Sequence, residues 1–182
     1  MTTTTLPTRL RSGIIGAGFI GGVHAQAVRA AGGRLTRIAD VTPESAIKAA
    51  GTLGAEAAAA SAEELIASDE VDVVHICTPN ATHAKLAILA IQHGKAVICE
   101  KPLATTATDA EDVARAARTA GVVNAVPFVY RFHPHVRETR ERIAAGDAGR
   151  IWLLHGSYLQ DWLSRSADTN WRVAPKMGPP CS

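Results

Sequence analysis

The stretch Gly13-Ile14-Ile15-Gly16-Ala17-Gly18-Phe19-Ile20-Gly21 decides how the rest of the chain is read. A short apolar run ends in G-x-G-x-x-G and leads directly into the helix-like segment Gly18 to Ala31. Between a strand and a helix, each glycine has its own task. The first allows a tight turn, the second lets backbone approach a pyrophosphate, and the third lets the helix pack close to the strand. The helix N-terminus then offers free N–H groups to the anion. The competing reading is an ordinary tight βα turn.

Asp40 separates the two readings. It closes the next apolar run, Leu35 to Asp40, 19 residues after Gly21. A carboxylate at that strand end accepts hydrogen bonds from the adenosine ribose hydroxyls and repels a 2′-phosphate, which favours NAD over NADP. Arg37 and Lys48 lie nearby in sequence and would soften that preference if either pointed inward. As a bare strand-end turn residue, Asp40 would carry no such meaning.

Outward from this unit the pattern repeats. Pro43 to Leu53 reads as a helix, Val71 to Cys77 as a strand before the helix His83 to His93, and Ala96 to Cys99 as a strand before the helix Asp109 to Ala120. Val122 to Val126 follows as a further strand. A weak Ala-rich strand near 55–59 precedes Ser61-Ala62-Glu63-Glu64, whose capping-box spacing starts a short helix. Repeated βα units imply an α/β fold with a parallel sheet and helices on both faces. His75 and Cys77 fall inside a buried strand and read as core.

Composition sets the outer limits. At 182 residues and 47% hydrophobic, the chain can bury a core without disulfides or structural metal, and its length covers one domain or one plus the beginning of another. A formal charge of +2 without any Lys/Arg block argues against a nucleic-acid partner or a polybasic membrane surface. Cys77, Cys99 and Cys181 are odd in number and lack ligand spacing, so no metal is assigned and the expected setting is a reducing cytoplasm. Residues 1–10 are polar and Thr-rich, lack the apolar core of a signal peptide, and are expected to be disordered. No later stretch approaches the ~20 apolar residues of a membrane span.

Of eight aromatic residues only Phe19 precedes position 128, which places a domain boundary there, with a first domain at 11–127 and a second part at 128–182. In that second part His133 to Ala145 reads as a charged helix stopped by Gly146. Ile151 to Leu159 reads as an aromatic-rich strand, whose unpaired edges would favour a homo-oligomer. Trp162 to Ser182 shows no periodicity.

Thr78-Pro79-Asn80-Ala81-Thr82-His83 and Glu100-Lys101-Pro102 each follow a predicted parallel strand, at the carboxyl ends where open α/β sheets bind ligands. With the glycine turn, in this order, they resemble the glucose-fructose oxidoreductase, inositol dehydrogenase and rhizopine-catabolism family (Gfo/Idh/MocA) from about Arg11 to Arg172. Tyr130-Arg131-Phe132-His133-Pro134, Gly149-Arg150-Ile151 and Trp171-Arg172 extend the resemblance. It implies a doubly wound Rossmann sheet followed by an incomplete start of an α+β second domain. It also implies an NAD(P)-dependent oxidoreductase acting on a sugar, polyol or related hydroxyl compound. The cofactor set would be Gly16, Gly18, Phe19, Ile20, Gly21 and Asp40, joined by Thr78, Pro79, Asn80 and His83 and by Glu100, Lys101 and Pro102. Lys101 would be the catalytic residue beside nicotinamide and substrate hydroxyl, with the Lys101–Pro102 bond cis as it often is in the family. Glu100 would position it or touch cofactor. His83 would cap or orient its helix, or act in function.

The resemblance breaks after Trp171-Arg172, where family members continue into a glycine-rich stretch and an Asp-x-Gly-x-His-x-x-Asp motif that this sequence lacks. A truncated, non-catalytic dinucleotide-binding module is therefore the alternative to an active dehydrogenase. An S-adenosylmethionine methyltransferase is disfavoured by the complete glycine fingerprint and the Glu-Lys-Pro triplet.

Overall fold

In the computed structural model, which describes residues 9–161, 163–165 and 167–169, the apolar runs become six strands. These are β1 (Arg11–Ile15), β2 (Arg34–Ala39), β3 (Ala57–Ala58), β4 (Val73–Ile76), β5 (Ala96–Cys99) and β6 (Asn124–Ala125). Every pairing is parallel and the order across the sheet is β3-β2-β1-β4-β5-β6. That is the Rossmann order, in which the chain reverses direction between β1 and β4 and leaves a crevice at their carboxyl ends.

Helices α1 (Phe19–Ala30) and α2 (Pro43–Leu53) cover one face of the sheet, and α3 (Ala62–Ala67), α4 (His83–Gln92) and α5 (Ala107–Ala120) the other. The alternation of Ile14 and Ile15 on β1 sends one side chain into each of the two cores. Ile14, Ala25, Val28, Leu35 and Ile38 pack beneath α1 and α2, whereas Leu65, Ile66, Val74, Ile76 and Ala87 belong to the larger opposite cluster. Alanines on the inner helix faces keep the helices close to the sheet, which explains the alanine-rich composition before residue 128.

Local signals hold with small shifts. Ser61 Oγ accepts the Glu64 N–H at 3.1 Å and so starts α3, but the Glu64 carboxylate takes the N–H of Ala60 rather than of Ser61. The weak strand near 55–59 shrinks to Ala57–Ala58.

Residues 128–161 differ more. A 3-10 turn, Val129–Phe132, precedes α6 (Pro134–Ala145), which ends at Gly146 as expected. The expected strand Ile151 to Leu159 does not form: these residues have no regular structure and all are exposed, Trp152 by 81% and Leu154 by 92%. A strand exists only through its ladder, and no described strand lies alongside this segment to supply one. The strand edges through which self-association was expected are therefore not present. Residues 1–8, most of the expected N-terminal tail, lie outside the described residues, as do Trp171-Arg172 and Cys181. No helix among the described residues is long and apolar enough to cross a membrane.

One ion pair pins the sheet's central strands at their amino ends. Asp72, just before β4, accepts from Arg11 of β1 through Nη2 (2.6 Å), Nε (3.0 Å) and the backbone N–H (2.9 Å). The guanidinium hydrogen bond holds the Asp72 carboxyl below its ordinary value of 3.8; partial burial opposes this, and the Arg11 N–H and the charges of Arg11 and Lys95 reinforce it. A depressed carboxylate stabilises the fold above its unfolded-state value and loses that contribution as pH falls through the folded one. Thermal melts should therefore show the stability difference between wild type and Asp72→Asn shrinking as pH is lowered from about 5 through the region below about 4. A difference independent of pH would contradict this role for the pair.

Candidate functional site

The glycine turn leaves β1 and enters α1 under tight steric constraint. Gly16 has φ +90°, and a Cβ on it would stand 2.7 Å from the Cys77 carbonyl oxygen, so the turn presses against the backbone leaving β4. A Cβ on Gly21 would come within 2.2 Å of the Gly16 carbonyl oxygen, which is closer than any real contact. Gly18 is the opposite case: a Cβ there would meet nothing within 4 Å. Gly18 is also the N-cap of α1 and provides no side-chain acceptor to its first N–H groups. Open space in front of an uncapped helix N-terminus fits a pyrophosphate, both sterically and by the sign of the helix dipole. Phe19 is exposed and Ile20 half-buried at the same mouth.

At the end of β2, Asp40 Oδ1 lies 3.5 Å from the Ala17 N–H, a long contact that leaves its carboxylate free for other donors. Arg37, which could have countered it, is paired instead with Glu70. Lys48 is exposed on α2.

Across the chain reversal, Thr78 and Pro79 follow β4 and Asn80 opens the 3-10 turn Asn80–Thr82. The Thr82 hydroxyl lies 2.6 Å from Thr78 Oγ1 and 2.8 Å from the Pro79 carbonyl, which tightens that turn. His83 is only 1% exposed; its Nδ1 lies 2.7 Å from the Pro102 carbonyl and its Nε2 2.8 Å from the Thr78 carbonyl. Both ring nitrogens face backbone oxygens, so His83 ties the loop after β4 to the loop after β5.

That second loop contains Glu100-Lys101-Pro102, with the Lys101–Pro102 bond cis. The Glu100 N–H continues the ladder to Ile76 O at 2.9 Å, and Glu100 Oε2 accepts the Lys101 N–H at 3.1 Å. Glu100 Oε1 is 3.2 Å from His24 Nε2. Burial pushes the Glu100 carboxyl up, but the His24 and Lys101 hydrogen bonds, with the charges of the same two residues, hold it below its ordinary range. It is a carboxylate at neutral pH. The Lys101 side chain is exposed. Neighbouring thiols are inert: burial, helped by Glu100, raises Cys77 strongly and Cys99 to about 12.

His24 is the residue that sequence reasoning missed. It lies on the buried face of α1 beside Gly21, Ala25 and Val28, where an imidazole among small apolar residues was itself a signal. His75, read as core, is buried but makes polar contacts, to His24 (Nδ1 to Nδ1, 3.0 Å) and to Ser12 Oγ (3.3 Å). Two cavities, of about 330 Å³ beside α3 and about 440 Å³ along α6, lie apart from the glycine turn and the two strand-end loops, and of the residues above only Arg37 lines one of them.

The sequence model of the Gfo/Idh/MocA oxidoreductase family, with its NAD-binding Rossmann fold, matches residues 10–128. The chain belongs to this family. It is 39% identical over 170 residues to a levoglucosan dehydrogenase of Pseudarthrobacter phenanthrenivorans, covering 88% of this chain and 43% of that protein. It is 40% identical over 149 residues to an inositol 2-dehydrogenase of Rhizobium meliloti, covering 80% and 44% respectively. Among solved structures, a levoglucosan dehydrogenase in complex with NADH and levoglucosan superposes with a TM-score of 0.89 at 34% identity, covering 94% of this chain and 49% of that one. The chain thus spans less than half the length of these relatives.

The glycine geometry makes a contrast that two variants expose. Gly18→Val should melt within about 2 °C of wild type, because the added side chain enters open space, yet lose NADH affinity by at least about tenfold. Gly21→Ala should destabilise the fold by roughly 1–3 kcal/mol through overpacking against Gly16. Equal melting losses in both, or unchanged NADH titrations for Gly18→Val, would contradict the assignment.

Proposed function

We propose that this chain is the cofactor-binding half of an NAD-dependent oxidoreductase that acts on a sugar, polyol or related hydroxyl compound. The observation that carries the proposal is the convergence of three loops at the carboxyl ends of β1, β4 and β5: the glycine turn, Thr78-Pro79-Asn80, and Glu100-Lys101-Pro102. The substrates in the names of the relatives, levoglucosan and inositol, support the substrate class.

The chain's residues divide the work. The α1 N-terminus at Gly18 receives the pyrophosphate, with Phe19 and Ile20 flanking it. Asp40 accepts the ribose hydroxyls and repels a 2′-phosphate, unopposed by Arg37, which favours NAD over NADP. Thr78, Pro79 and Asn80 line the crevice, while His83 acts through the two loops it braces. Glu100 orients the backbone of Lys101, whose Nζ takes the proton of the substrate hydroxyl when it stands as the neutral amine in a closed cleft. Bound NAD would supply the hydride acceptor for the carbon that bears this hydroxyl. Residues from 128 onward would begin a second domain for substrate and oligomerisation.

The exposure of Lys101 favours a second reading for the 182 residues taken by themselves, in which they bind the dinucleotide without turnover. Water is not excluded from an exposed lysine, and the reacting carbon is not held in line.

Calorimetric titration of the folded chain with NADH should show binding, weakened by about tenfold or more in Asp40→Ala. The same variant should narrow the preference for NADH over NADPH. Lys101→Ala should leave NADH affinity largely intact and abolish any NADH formed from NAD with inositol, levoglucosan or other polyols. A folded sample that fails to bind NADH would contradict the proposal; binding with no turnover across such a panel would select the second reading.

A further inference from the structure

We propose that His24 is a positioning residue that holds Glu100, and through it Lys101, at the nicotinamide end of the crevice. The inference rests on the function proposed above and assigns a part to a residue that function left unused.

Four side chains, all buried except the half-buried Glu100, form a continuous line: Ser12 Oγ to His75 Nε2 (3.3 Å), His75 Nδ1 to His24 Nδ1 (3.0 Å), and His24 Nε2 to Glu100 Oε1 (3.2 Å). Its far end is shut, since Ser12, His24 and His75 are 4%, 8% and 5% exposed. A path with no outlet does not serve to move protons to solvent. It does fix orientation. The Glu100 carboxylate only accepts, so His24 Nε2 must carry a hydrogen. The remaining contact, Nδ1 to Nδ1, needs one hydrogen between two nitrogens.

Burial, with the charge of His24 adding to it, lowers His75 to about 4, so His75 is neutral and has one N–H to place. The Nδ1–Nδ1 hydrogen sits on either ring, and in both arrangements His24 Nε2–H donates to Glu100 Oε1; with that hydrogen on His75, Ser12 O–H donates to His75 Nε2 and His75 Nδ1–H to His24 Nδ1. The His75 contact thereby holds the His24 ring with Nε2 toward the carboxylate. The edge-on packing of the two rings, with centroids 5.3 Å apart and planes at 89°, keeps them from turning.

The opposite oxygen of Glu100 carries the consequence. Oε2 accepts the Lys101 N–H, so the carboxylate bridges α1 and the loop after β5. Because α1 also presents its N-terminus to the pyrophosphate, this bridge sets the distance between the two ends of the bound dinucleotide. Loss of the His24 N–H leaves the anion site at Gly18 intact and frees Glu100 to turn.

The test separates the two ends of the dinucleotide by titrating the 182-residue chain with NADH and with ADP-ribose, which lacks the nicotinamide. His24→Leu removes the N–H at similar volume, and His24→Gln keeps a side-chain N–H. In His24→Leu, NADH affinity should fall by about tenfold while ADP-ribose affinity stays within about twofold, and His24→Gln should recover most of the NADH loss. Equal loss of both ligands, or no loss of either, overturns the inference while leaving the proposed function standing. Failure of wild type to bind either ligand overturns both together. Imidazole ¹⁵N spectra of the wild type need no variant: a hydrogen on His24 Nε2 supports the inference, and a bare Nε2 overturns it.

Discussion

A backbone contact organises this structure: the approach of Gly21 to the Gly16 carbonyl oxygen, so close that a Cβ would stand 2.2 Å from it. That approach seats the first turn of α1 directly on the end of β1 and aims its uncapped N–H groups over the carboxyl edge of the sheet. Gly16 in turn presses on the Cys77 carbonyl, which fixes the height of the β4 loop relative to the α1 N-terminus. Any side chain at either position would lift the helix away, and the anion cradle in front of Gly18 would be lost with it. The parallel order β2-β1-β4 does the rest, because it leaves a gap between the helices at that point of reversal.

The remaining parts of the site are tied to this turn by buried polar contacts rather than by hydrophobic packing. His83 reaches two carbonyl oxygens on two loops, and Glu100 bridges the Lys101 backbone and an imidazole on α1. Each contact is individually modest, but leaving a buried donor or acceptor without its partner costs on the order of 1–3 kcal/mol, so the loops are held by what their displacement would leave unpaired. The two carboxylates of the crevice meet protein donors, Asp40 the Ala17 N–H and Glu100 the His24 ring and the Lys101 N–H, while no side chain caps the helix N-terminus between them.

The βα rhythm, the glycine turn and the strand-end motifs were legible because each rests on local chemistry: periodicity, turn sterics and capping. Helix α2 and strand β5 fall where the pattern puts them. Helix α2 runs through Gly51 and stops only at the left-handed Gly54. The segment Ile151 to Leu159 has the composition of a strand and none of its structure, because strand formation depends on a neighbour that composition does not specify. His24 and His75 went unpaired in the sequence for a similar reason. They are 51 residues apart, and only the meeting of α1 with β4 brings their rings together.

The proposed dinucleotide site lies at the carboxyl edge between β1 and β4 and is built on the α1 N-terminus. Backbone ¹⁵N–¹H spectra of the labelled chain, recorded with increasing NADH, test it residue by residue. Saturable shifts are expected at Gly18, Phe19 and Ile20, at Asn80, and at Lys101, with α6 unaffected. Shifts centred on α6 or on the cavity beside α3, with the glycine turn silent, would contradict it.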